Sequence, residues 1–105
     1  MLACHFPQKE AEARYFEVCR SVARDCGRQP LLIIGDMNTG NQAADKTQDG
    51  EKYACTEDFD GLSRDEGLID LWRRSNGPDE RQWTWRTSQN SFRIDHAFAN
   101  PLFVD

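Results

Sequence analysis

The stretch Leu31-Leu32-Ile33-Ile34-Gly35-Asp36-Met37-Asn38-Thr39-Gly40 decides how this chain is read. Pro30 opens it, and the continuous apolar run Leu31 to Ile34 suits a strand covered on both faces. Gly35 lets another backbone, or a bulky ligand, come close. If Gly35 to Asn38 stays extended, Asp36 and Asn38 point the same way, because strand side chains alternate with period two. A carboxylate and an amide then stand together at the mouth of a buried strand, where open α/β sheets bind ligands. Asp, Asn and Gly are also turn formers, so an ordinary turn is the alternative. A calcium loop is excluded: counted from Asp36, it needs a glycine where Asn41 stands and a glutamate where Thr47 stands.

Upstream, Met1 to Phe6 reads as a short strand stopped by Pro7. From about Gln8 to Cys26 the period changes. Tyr15 or Phe16, Cys19, Val22 or Ala23, and Cys26 recur at helical spacing, with charged residues opposite and Gly27 at the end. Strand, helix and strand at this spacing predict a mixed α/β layered fold.

Downstream, Thr39 to Thr56 is polar and reads as a long loop. A short helix is expected from Ser63, a turn at Gly67, and a strand or helical turn over Leu68 to Trp72. Asn76-Gly77-Pro78 marks a loop. "QWTWRT" alternates as a strand, with Trp83 and Trp85 on one face, and "SQNS" makes a turn. "FRIDHAFAN" alternates again, with Phe92, Ile94, His96 and Phe98 opposite Arg93, Asp95 and Ala97.

The 105 residues allow one domain at most, and with 38% hydrophobic residues its core is modest. A net charge of −5 argues against a chain that wraps nucleic acid by bulk charge. Acids crowd the segment from Asp45 to Asp70, while arginines follow Trp72 and could form a phosphate-facing edge beside Trp83 and Trp85. The cysteines (Cys4, Cys19, Cys26 and Cys55) show no C-x-x-C or zinc-finger spacing. With no export leader and no membrane-length apolar run, the expectation is a cytoplasmic protein with reduced thiols and no membrane partner.

Two further groups carry chemistry. Asp95 is an acid on a well-patterned strand, so its burial would require a partner; the alternative is a surface acid paired with Arg86 or Arg93. His5 sits in an apolar strand, where a structural role competes with a catalytic one.

Taken in order, "CHFP", a helix, "LLIIGDMN", "GLIDLWR" and "TWRTSQNSFRIDHAF" resemble the endonuclease/exonuclease/phosphatase superfamily, the fold of DNase I and of exonuclease III-type nucleases. "GDMN" is similar to that family's Gly-Asp-x-Asn motif and "RIDH" to its Arg-Ile-Asp-Tyr/His motif. The resemblance runs from Cys4 to Asn100 and implies part of a four-layered α/β sandwich. Its sheet would be mixed and mostly antiparallel, with a long helix near the N-terminus.

The resemblance also implies hydrolysis of phosphate esters with Mg²⁺ or Mn²⁺, whose preference for hard oxygen ligands suits carboxylates and amides. Asp36 would orient or deprotonate the attacking water and is a possible metal ligand. Asn38 would hold the phosphate, Asp95 would fix a catalytic histidine, and His5 would contact the scissile phosphate. Arg93 and Trp85 would lie toward the substrate, although Arg93 and His96 also suit structural roles and Trp83 and Trp85 suit the core. The substrate would be nucleic acid, DNA before RNA, with small-molecule or lipid phosphates as the alternative. The family's first half, with an Asn and a metal-binding Glu, and its closing Ser-Asp-His have no counterpart within residues 1–105. The chain is therefore expected to be a partial domain lacking both, with little or no activity by itself or, alternatively, a non-catalytic remnant.

Overall fold

The computed structural model describes residues 1–7, 12–47, 53–87 and 90–104. The expected helix start at Gln8, the middle of the expected loop (48–52) and two residues of the "SQNS" turn (88–89) lie outside the described residues. The protein is a small mixed α/β structure built on a mixed sheet. Strand β1 (Leu2–His5) leads to helix α1 (Glu12–Asp25), which returns the chain to strand β2 (Leu32–Asp36). β1 and β2 run parallel, with Leu2 opposite Ile33 and His5 opposite Asp36. This is the strand–helix–strand unit that a parallel pair requires.

Next come α2 (Thr56–Arg64), β3 (Ile69–Asp70) and α3 (Leu71–Asn76). The two-stranded sheet β4 (Trp85–Arg86) with β5 (Ser91–Phe92) follows, then β6 (Asp95–Ala99) and α4 (Pro101–Val104). The main sheet has the order β1-β2-β6-β3, and β6 pairs antiparallel with both its neighbours.

Helix α1 buries Phe16 and Cys19 and leaves Tyr15 exposed, so Phe16 is the residue the periodicity required. These two meet Phe6, Ile33, Phe59, Leu62 and Phe98 in one core on a single face of the sheet. Burying side chains of this size supplies about 1.5–3 kcal/mol each. None of the four cysteines is in a disulfide, as the reduced-thiol expectation requires.

Three expectations change. Strand β2 is covered on one face only: Ile33 is fully buried but Ile34 is 41% exposed, because α1 and α2 contribute to the same core as Ile33. The helix expected from Ser63 instead ends at Arg64. Glu57 and Asp58 in its first turn and the buried pair Phe59 and Leu62 carry helical signals that lie upstream of Ser63. Finally, "FRIDHAFAN" is not one strand. A break at Arg93 and Ile94 separates β5 from β6, so Phe92 faces Trp85 while His96 and Phe98 enter the core.

Gly35, at φ +153°, is where β1 comes closest: a Cβ there would lie 1.9 Å from the Cys4 carbonyl oxygen. The expected backbone approach is thus made by β1 itself. No helix among the described residues is long and apolar enough to cross a membrane.

Candidate active site at the end of the sheet

The register puts His5, Asp36 and Asp95 in one row across β1, β2 and β6. His5 pairs with Asp36, and Asp36 with Asp95. Directly paired residues project to the same side of a sheet, and alternation from buried Ile33 puts this row on the face away from the core. Asp36 ends β2 with its side chain 32% exposed, and one carboxylate oxygen lies 3.7 Å from Nε2 of the exposed His5. Asp95 is also exposed.

The extended reading of Gly35 to Asn38 does not hold. The strand stops at Asp36, and Asn38 takes a left-handed conformation (φ 53°) that asparagine tolerates well. The Asn38 backbone N–H donates to Asp36 Oδ1 at 2.9 Å, and Asn38 Nδ2 donates to the Phe6 carbonyl at 2.6 Å. The turn and the acidic site are therefore the same feature. Asp36 is held by its own turn, and Asn38 ties that turn to the chain leaving β1. Met37, between them, is fully buried and bonds the Ile94 carbonyl through its N–H.

On the other side of the row, the Thr84 hydroxyl oxygen accepts from the backbone N–H groups of Ile94 and Asp95 at 3.0 and 3.3 Å. That places Trp83 to Trp85 beside Asp95. Trp85 is 52% exposed and tilts against Phe92 with ring centroids 5.2 Å apart, so it covers a two-stranded sheet and does not fill the core.

Arg93 goes elsewhere. It is 2% exposed; its Nε donates to Asp45 Oδ1 at 2.7 Å and its Nη2 to Asp70 Oδ2 at 2.6 Å. Arg73 reaches the same Asp45 oxygen at 2.5 Å. Burial alone would raise the Asp45 carboxyl, but Arg93 and Arg73 hold it below the ordinary range. Arg93 is thus a buried clamp between two acids, not a group that faces a substrate, and Asp95 is not its partner.

His96 is buried, with Nε2 2.6 Å from the Thr39 carbonyl and its ring against Phe59, while Nδ1 has no hydrogen-bond partner among the described residues. Burial lowers its pKa to about 4, so it is a neutral core residue at physiological pH. Asp45 gave no signal in the sequence, since it sits in a polar stretch full of acids. Asp70 did have one, inside the quoted "GLIDLWR".

Asp36 and Asp95 are hard oxygen donors of the kind Mg²⁺ or Mn²⁺ takes. Among the described residues, however, no three His, Cys, Asp or Glu side chains come together to hold a metal ion. Asp36 and Asp95 do not by themselves fit a metal centre.

No protein-family model matches the chain, and no curated protein matches it.

Proposed function

We propose that the row His5–Asp36–Asp95 belongs to a phosphoester hydrolase acting on nucleic acid, DNA before RNA, within a sandwich of the DNase I type. The observation that supports this reading is the register itself. Two carboxylates and an imidazole from three strands share one open-faced row at the end where β1 and β2 finish. The motif resemblance supplies the reaction class by analogy.

In this reading Asp36 accepts a proton from the attacking water, and the Asn38 N–H on its other oxygen fixes the carboxylate's orientation. The attacking oxygen bonds to phosphorus as the bond to the ester oxygen breaks, and the leaving oxygen takes up a proton from solvent. His5, exposed and on the edge strand, is free to donate to a phosphate oxygen. Asn38 has one N–H left after its bond to Phe6. The metal that the resemblance implies would supply charge stabilisation when bound.

That the described residues bring no third metal donor to the row favours a second reading, in which this chain binds phosphate without turning it over.

The test is amide NMR of the chain titrated with an abasic-site duplex, a single strand, a small phosphomonoester and inorganic phosphate, with Mg²⁺ or Mn²⁺, followed by product analysis. Shifts centred on His5, Asp36 and Asp95 with nucleic acid support the proposal, and cleavage with either metal assigns catalysis. Shifts without cleavage favour the binding reading. No shift at any of the three residues with any ligand would sink both.

A further inference from the structure

Glu12 is the first residue of α1, and its side chain is fully buried; among the described residues neither carboxyl oxygen meets a donor in good hydrogen-bond geometry, and the Cys55 thiol gives it only weak support. A buried ionised carboxylate without partners is among the costliest groups a fold can hold, and neutralisation is the usual escape. Among the described residues the groups facing it offer no cation. The Cys55 thiol lies beside it in the turn before α2, Asp58 of α2 acts on the same thiol, and Asp36 of β2 adds negative charge. Among the described residues Glu12 forms no ion pair.

We propose that Glu12 is a pH-operated latch: neutral and packed, it pins the first turn of α1 against the core, and on ionising it frees that turn. Burial is the main cause that moves its pKa from about 4.5 to about 8; Asp36 adds to the rise, and Cys55 opposes it. The positive end of the helix dipole favours the anion, but the effect is small beside that of complete burial. Above the midpoint the proton passes to solvent, and the anion is best satisfied by the first turn opening to water. This inference does not depend on the hydrolytic reading, because it concerns how α1 is fastened.

The experiment uses the full chain with ¹³C-labelled glutamate carboxyls, the Glu12 signal being assigned by its loss in Glu12→Gln. A titration midpoint near 8 is expected. A midpoint near the ordinary 4.5 would overturn the proposal. Amide exchange gives a second readout. Corrected for intrinsic base catalysis, the amides of Tyr15 and Phe16 should exchange about tenfold faster in wild type one pH unit above the midpoint than below it. Glu12→Gln should show no such step. Equal steps in the two proteins, or none in wild type, would overturn the latch even if the midpoint is high.

Discussion

Asp36 and Asp95 stand directly opposite one another on the antiparallel pair β2–β6, two carboxylates in register on the open face of the sheet. Like charges so placed repel, and the cost falls on the sheet pairing itself. Asp36→Asn keeps an oxygen for the Asn38 N–H while removing the repulsion. It is expected to raise stability by roughly 0.2–1 kcal/mol at low ionic strength, with the gain fading in salt. Urea unfolding at low and high salt checks this. A loss of stability at low salt would mean that His5, 3.7 Å away, more than compensates for the repulsion.

Arg93 is expected to matter for folding rather than for substrate. Removing one member of a buried, hydrogen-bonded charge set costs about 3–5 kcal/mol, because the remaining charges lose their partner. Arg93→Ala should therefore be severely destabilised, and Arg93→Lys nearly as much, since an ammonium cannot hold Asp45 and Asp70 with one planar fork. Denaturant unfolding gives the cost. If Arg93→Ala unfolds like wild type yet loses phosphate binding, the clamp assignment is wrong.

Gly35 and Gly61 form a matched pair. A Cβ at either would come within 1.9 Å of a heavy atom, but at Gly35 that atom is the Cys4 backbone oxygen and at Gly61 it is a guanidinium nitrogen of Arg20. Backbone in a paired strand cannot retreat, while the end of an arginine can. Gly35→Ala also meets a positive φ and should lose well over about 1 kcal/mol. Gly61→Ala gains roughly 0.8–1 kcal/mol of helix propensity against a displaced Arg20, and should remain within about 1 kcal/mol of wild type. Equal losses in thermal unfolding would show that Arg20 is not free to move.

The same pair shows what could be read from the chain. That Gly35 meets a backbone follows from a glycine after an apolar run, since a Cβ is what the position lacks. Why Gly61 lies inside a helix does not follow, because its reason is Arg20, forty-one residues earlier. The row of His5, Asp36 and Asp95 divides in the same way. Each residue stands out by type, but their adjacency is a matter of register, which strand pairing fixes and local sequence does not. The Asn38 turn was legible as an alternative from "DMNTG". What was not legible was that it operates together with the acid, through one N–H and the carbonyl of Phe6. The burial of Arg93 depends on Asp45, which nothing in its own neighbourhood distinguishes.

His96 and Glu12 set opposite pH dependences. For His96 the folded pKa is about 4 against an ordinary 6.5, so as pH falls below 6.5 the unfolded chain takes up the proton first. Stability then declines toward pH 4, by roughly 3 kcal/mol in all. For Glu12 the folded value is about 8 against an ordinary 4.5, so stability is full below 4.5 and declines as pH rises to 8. Each slope approaches about 1.4 kcal/mol per pH unit within its window, and the two oppose one another where the windows overlap. Wild type should accordingly be nearly flat between 4.5 and 6.5 and lose stability on the alkaline side up to 8. His96→Gln, which keeps a donor for the Thr39 carbonyl, should lose stability continuously from 4.5 to 8. Glu12→Gln should gain stability from 4 to 6.5 and stay level above it. Urea unfolding at stepped pH separates the three curves. Parallel curves would mean that neither group is held neutral by burial, and a tilt in one variant alone would identify which group is.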